Sequence, residues 1–234
     1  MSRRLLLFDI DGTLVHAGGA GRRSIERALR EHCGELDGAL AHLRLDGMTD
    51  RLIVREALAA LGRPFDDALC DRILARYVEL LAEEIHRPGY RVLPGVAELL
   101  ETLARRGAFV GLCTGNVSTG ARIKLGRGGL DRYFDWSADG VNGFAADGEA
   151  RERIVEAVLG RAARRLGRPF HGREAMVIGD TPRDVAAARA AGVPVLAVAT
   201  GRFSAEELRA SGPDLVAETL GDPGMVDLLL GPGG

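Results

Sequence analysis

Lysine is nearly missing from this chain of 234 residues: Lys124 is the single one, and arginine supplies every other of the 31 basic side chains. With alanine and glycine abundant around it, the arginine excess reads as a bias of composition, and only an arginine with a specific task departs from that reading. A large net charge is missing too. The 31 basic residues stand against 33 acidic ones, a formal charge of -2, which argues against a broad electrostatic footprint for nucleic acid or an anionic membrane. Cysteine is scarce. Cys33, Cys70 and Cys113 lie far apart, without the paired spacing of a zinc site or a redox dithiol, and are expected to be reduced core thiols of a soluble, cytoplasmic protein. No apolar run approaches the length that spans a bilayer. The basic start followed by Leu5-Leu6-Leu7-Phe8 looks like the opening of a signal peptide, but Asp9 and Asp11 end it after a few residues. The five histidines are scattered without metal-ligand spacing. What remains, 46% apolar, is enough for one large domain or two small ones with a buried core.

Leu5 to Ile10 is a short apolar run interrupted only by Asp9 and closed by Asp11-Gly12, the pattern of a buried parallel strand ending in a tight turn. Residues 109–113, 175–178 and 195–199 repeat it, with helical patterns between most of them. The alternation predicts an α/β fold, a doubly wound parallel sheet (Rossmann-like core) with helices on both faces. From about Gly18 to Arg91 no strand is expected. Helices are predicted there from Ser24 as cap to Cys33, from Thr49-Asp50 to Leu61 and from Asp66 to His86, with Leu69, Ile73, Tyr77, Leu80 and Leu81 on one face. The chain thus reads as a helical insert of residues 17–91 in a sheet domain of residues 1–16 and 92–234, ending in a structureless Gly231-Pro232-Gly233-Gly234 tail.

In an open parallel sheet, ligands bind beyond the carboxyl ends of the strands. Asp9 and Asp11 follow the first strand, Thr114-Gly115-Asn116 the second, and Gly179-Asp180 the third, with Asp184 one helical turn on. If these strands are neighbours, the carboxylates meet at one edge. Two like charges 4 Å apart repel by about 4 kcal/mol at an effective dielectric near 20, so the cluster calls for a cation. Oxygen ligands alone select a hard ion, Mg²⁺ before others. A divalent ion among carboxylates, with the Thr114 hydroxyl and backbone N–H groups as donors, suits a phosphate ester. One aspartate beside the ion can serve as nucleophile, and the second, two residues on, can protonate the leaving oxygen and then activate water.

These residues carry a resemblance. Asp9-Ile10-Asp11-Gly12-Thr13-Leu14, Thr114-Gly115-Asn116 and Gly179-Asp180-Thr181-Pro182-Arg183-Asp184, in this order, resemble the motifs of the haloacid dehalogenase-like hydrolases over nearly the whole chain. The helical insert resembles the small cap of the phosphoglycolate phosphatase-like branch. The resemblance implies Asp9 as nucleophile, Asp11 as general acid and base, and Thr114 as a donor to phosphate with Gly115 and Asn116 beside it. It implies Mg²⁺ held by Asp9, Asp180 and the Ile10 carbonyl with Asp184 in support, so that Asp9, Asp11, Asp180 and Asp184 make up the expected carboxylate set. Asp11 favours phosphate chemistry over dehalogenation, because a departing halide needs no proton.

The family's third motif is usually a lysine before the strand that leads to the last motif. No lysine stands there, since Lys124 comes too early in the chain; Arg151 and Arg153 are the candidates. Arg151 lies three, four and seven residues before Ile154, Val155 and Val158 and shares the inward face of a helix from about Ala150 to Leu166, whereas Arg153 lines up with Ala157, Arg161 and Arg164 toward solvent. Leu159, Ala162 and Leu166 are expected to be buried on the same inward face. Arg151 is therefore the expected phosphate or Asp9 partner, through a fork of two hydrogen bonds.

Milder readings stand beside these. Thr181 can cap a helix with Pro182 in first position and Asp184 as reciprocal acid, a role compatible with the metal shell. Gly19-Ala20-Gly21-Arg22-Arg23-Ser24 reads as a hinge rather than a nucleotide loop. Arg22, Arg23 and Arg51 could reach a substrate carboxylate or second phosphate, but each is expected to face solvent. The expected function is a Mg²⁺-dependent phosphatase of a small phosphorylated metabolite, phosphoglycolate on resemblance, acting as monomer or homodimer without nucleic acid or membrane. The alternatives are a phosphosugar mutase, which product analysis separates, and a catalytically silent binding protein, which an assay with and without EDTA separates.

Overall fold

The computed structural model describes residues 4–36, 38, 43–169 and 174–231; Pro232, Gly233 and Gly234 of the expected tail lie outside them. In chain order, β1 (Leu5–Phe8) and β2 (Val15–Ala17) precede three helices, α1 (Ala20–Cys33), α2 (Asp50–Ala60) and α3 (Asp67–Glu84). β3 (Tyr90–Val92), α4 (Val96–Arg105), β4 (Phe109–Leu112), α5 (Ser118–Arg127) and α6 (Arg151–Leu166) follow. The chain continues through β5 (Ala175–Gly179), α7 (Pro182–Ala190), β6 (Val195–Val198), α8 (Ala205–Ala210), β7 (Leu215–Ala217) and α9 (Met225–Leu230).

Five parallel strands run in the order β4-β1-β5-β6-β7. β1 is apolar throughout because both faces are covered. Leu6 and Phe8 pack with Leu99, Leu103 and Leu125 on one side, while Leu5 and Leu7 pack with Ile154, Val158 and Val185 on the other. β7 escapes a reading by apolar runs because it is a three-residue edge strand with Leu215 exposed. α6 follows its inward periodicity until its end, where Leu166 is 44% exposed instead of buried; Leu159 is half-buried. Cys33, Cys70 and Cys113 are free and buried, and no described helix is long and apolar enough to cross a membrane.

α1 to α3 build an apolar cluster of their own, with Ile25, Leu29, Ile53, Leu58, Ile73 and Tyr77 at its centre. Thr49 and Asp66 cap α2 and α3 by accepting from the N–H groups of Leu52 and Leu69, at 3.2 and 2.6 Å. Ser24 caps nothing. Gly18 and Gly19 take left-handed backbone (φ 61° and 79°), which turns the chain into α1 a full turn earlier, so the segment read as a hinge is mostly the first turn of a helix and Ser24 is buried inside it. The chain enters and leaves this unit through an antiparallel ribbon, β2 against β3, which pairs Val15 with Val92 and Ala17 with Tyr90. With three residues per strand it leaves no readable period in the sequence.

Candidate active site

Because β1 lies between β4 and β5, the residues that leave these three strands converge. Asp9 continues β1 by donating its N–H to the Ile178 carbonyl at 2.9 Å, and Asp180 leaves β5 beside it. Carboxylate oxygens of Asp9, Asp180 and Asp184, all buried, lie within 4.8 Å of one another. Arg151, from the start of α6, reaches into this group: Nη2 lies 2.8 Å from Asp9 Oδ2 and 2.5 Å from Asp184 Oδ1. The same guanidinium donates to the Cys113 and Gly47 carbonyls at 3.4 and 3.3 Å, and its buried Nε has no partner. Arg153 stands outside, its side chain 68% exposed and paired with Glu156.

Burial pushes the Asp9 carboxyl up to about 6, with Arg151 pulling the other way. Burial, reinforced by Asp184 and Asp9, pushes Asp180 well above the usual carboxylate range against a hydrogen bond from Thr13 Oγ1 at 3.0 Å. Burial works against the Arg151 charge, but Asp184 and Asp9 outweigh it and hold the guanidinium above its ordinary value. Three carboxylates against one guanidinium leave an excess of two negative charges when all are ionised, which fits a divalent cation and oxygen-only ligands.

Local structure fixes each of these carboxylates. Gly12 has φ 85°, and a side chain there would run into Asp180 Oδ2, so the turn after β1 closes onto Asp180 only with glycine. Thr181 caps α7: its N–H and Oγ1 donate to Asp184 Oδ2 at 3.0 and 2.7 Å, which leaves Asp184 Oδ1 for Arg151. Ile10 is placed differently from the expectation. Its carbonyl accepts the N–H groups of Thr13, Leu14 and Val15 at 3.3, 2.9 and 3.0 Å, so the turn consumes the oxygen that was expected to face the ion.

Asp11 stands apart from the acidic group. Its Oδ2 accepts Asn116 Nδ2 at 2.9 Å and Lys124 Nζ at 2.5 Å, and its side chain is 42% exposed to the cavity. Thr114 is buried, and its Oγ1 accepts the Asn116 N–H and Nδ2 at 3.3 and 2.8 Å. Gly115 passes under the helical unit: its carbonyl accepts the Asp50 N–H at 2.7 Å, and a side chain there would lie 2.5 Å from the Met48 carbonyl oxygen.

Two residues that sequence reading left aside belong here. Lys124 on α5 is buried between Asp11, Asn116 Oδ1 (2.6 Å), Asp50 and Tyr77; burial works to strip its proton, and Asp11, Tyr77 and Asp50 together hold it above the ordinary lysine range. Asp50, first residue of α2, accepts the Val117 N–H at 2.7 Å, and burial raises it to about 6 against Lys124 and that N–H. The one available signal was that a chain rich in arginine keeps a lysine at position 124.

A cavity of about 460 Å³ opens above these groups. Asp9, Asp11, Arg151 and Asp180 form part of its lining, as do Ile25, Ile53 and Tyr77 of the helical unit and four arginines, Arg22, Arg44, Arg91 and Arg202. Arg23 and Arg51 are tied elsewhere, to Glu84 and to Asp67 and Asp71.

The family model of the haloacid dehalogenase-like hydrolases matches residues 4–192. Phosphoglycolate phosphatase of Rhodospirillum rubrum is 36% identical over 214 residues, 89% of this chain and 84% of that protein. The Mesorhizobium japonicum phosphoglycolate phosphatase is 29% identical over 202 residues, 86% of this chain and 85% of the relative. A crystal structure of a hydrolase from Pseudomonas syringae superposes with a TM-score of 0.71 at 25% identity, covering 97% of this chain and 96% of that one. The chain belongs to the haloacid dehalogenase-like hydrolase family, on the branch of its phosphoglycolate phosphatase relatives.

Proposed function

We propose that this hydrolase is a Mg²⁺-dependent phosphatase of a small phosphorylated metabolite that works through an aspartyl-phosphate on Asp9, with residues 17–91 as a cap over a core of residues 1–16 and 92–234. The observation that carries the reading is the division of labour between two aspartates. Asp9 lies among buried carboxylates with Arg151, whereas Asp11 lies outside them with its carboxylate toward the cavity.

Asp9, Asp180 and Asp184 would hold the ion, which when bound supplies positive charge to the phosphoryl oxygens. An Asp9 oxygen attacks phosphorus, the bond from phosphorus to the leaving oxygen breaks, and a proton from Asp11 goes to that oxygen. Arg151 offsets the charge of Asp9 and, with its free Nε, can turn toward a phosphoryl oxygen. Thr114 Oγ1 already accepts two bonds from Asn116, so its one hydrogen is available to the phosphoryl group. Asp11, now ionised, takes a proton from the water that hydrolyses the aspartyl-phosphate, which restores both carboxylates.

Arg44 and Arg91 along the cavity, beside Arg22 and Arg202 that pair with Glu26 and Asp46, favour a substrate with a second anionic group beyond the phosphate. A carboxylate meets that requirement, and the relatives named phosphoglycolate phosphatase make 2-phosphoglycolate the leading candidate. Release of inorganic phosphate from a panel of phosphorylated metabolites, with Mg²⁺ and with EDTA, tests the reading. Asp9→Asn is expected to abolish turnover, and substantial Mg²⁺-dependent release by that variant would overturn the mechanism.

A further inference from the structure

We propose that Lys124 is a positioning residue: with the Asn116 amide it fixes one oxygen of Asp11, so that the other oxygen meets the leaving group of the bound ester. The proposal rests on the reading of Asp11 as general acid. An aspartate as open to the cavity as Asp11 would ordinarily sample several rotamers. Here Oδ2 is taken twice, by Lys124 Nζ at 2.5 Å and by Asn116 Nδ2 at 2.9 Å, while Asn116 Oδ1 accepts from the same ammonium at 2.6 Å. Asp11, Asn116 and Lys124 therefore form a closed ring of hydrogen bonds, in which no member can turn without breaking two of them. Oδ1 of Asp11 has no partner among the described residues, and Asp11 lines the cavity.

The ammonium is itself held in place. α5 carries it into a buried position, and Asp50 of α2 and Tyr77 of α3 interact with it there. Taking an ammonium out of water is unfavourable unless it is paired. The ring supplies the pairing. Gly21 of α1 approaches the same ammonium: a Cβ there would lie 3.5 Å from Nζ, in ordinary van der Waals contact.

A residue that only held the fold together would slow all esters alike. One that aims a proton donor matters most where the leaving oxygen is basic. The value of kcat/KM covers the steps up to departure of the leaving group, and an alkoxide needs a proton there while p-nitrophenolate does not. We therefore expect Lys124→Met, assayed with Mg²⁺, to lower kcat/KM about 100-fold for 2-phosphoglycolate, or for the best alkyl ester of the panel, and only a few-fold for p-nitrophenyl phosphate. Asp11→Asn should show the same split, and the double variant should be no worse than Asp11→Asn on the alkyl ester. Lys124→Gln, which keeps an N–H donor, should show the split with a smaller loss and serves if the methionine variant does not fold. Equal losses on both esters, or losses that add in the double variant, overturn the proposal while leaving Asp11 as the acid. If Asp11→Asn itself loses both esters equally, the reading of Asp11 falls, and the role of Lys124 falls with it.

Discussion

Arg151 sits between two buried carboxylates that have no other cationic partner among the described residues, so its removal leaves Asp9 and Asp184 facing each other across a few ångströms. Breaking a buried pair on one side costs about 3 to 5 kcal/mol. Arg151→Ala is expected to lose about that much stability in EDTA, and to recover part of it when Mg²⁺ replaces the missing charge. Arg153→Ala, on the exposed face, should stay within about 0.5 kcal/mol of the parent. Urea unfolding of both variants with and without the ion measures this, and equal losses would remove the distinction between them. The choice between the two arginines was legible in the sequence because it depends on helix periodicity alone: Arg151 shares the face of Ile154, Val155 and Val158. Lys124 was not legible. Its distance in sequence from Asp11 is bridged only once β1 and β4 pair, and no local pattern marks a helix residue that reaches over a neighbouring loop.

At the scale of elements, α7 ties folding to the site through its first turn. Thr181 and Asp184 satisfy each other's backbone N–H groups, and the same Asp184 presents its second oxygen to Arg151 and the acidic group. Thr181→Ala should cost about 1 kcal/mol as a lost cap. It should also weaken Mg²⁺ binding by about tenfold, because the carboxylate is no longer held from behind. Calorimetric titration with Mg²⁺ beside unfolding measures both, and unchanged affinity would mean that the cap serves the helix only. The caps Thr49 and Thr181 were readable because a capping signal lies within four residues. Ser24 misled for the same reason. Two left-handed glycines start α1 early, and their conformation is invisible until the ribbon of β2 and β3 forces the chain to turn. β7 and the exposed Leu166 lie at the margins of the sheet and of α6, where apolar spacing stops reporting burial.

At the scale of the whole molecule, Asp50 is where the helical unit meets the sheet domain: its N–H binds Gly115, its carboxylate binds the Val117 N–H, and Lys124 lies beside it. Its pKa is raised from the ordinary 3.8 to about 6 by burial, so the folded chain holds this proton more tightly than the unfolded one. That contribution is fully present below about pH 4 and is lost as pH rises through 6; a shift of about two units corresponds to about 3 kcal/mol by pH 7. Asp50→Asn removes this dependence. The stability of the variant minus that of the parent should therefore move in favour of the variant by about that amount between pH 4 and 7, as read by urea unfolding in EDTA. A difference that stays flat or moves the other way would contradict the burial of this carboxyl.

The single lysine has a chemical consequence at this scale as well. The one side-chain amine of the chain is buried beneath α1 and engaged by Asp11 and Asn116, out of reach of acylating reagents while the helical unit lies against the sheet domain. Lys124 is thus a side-chain label expected to stay silent in this arrangement, and the rate at which an amine reagent modifies it, read by peptide mapping apart from the α-amine, measures how often its burial is lost.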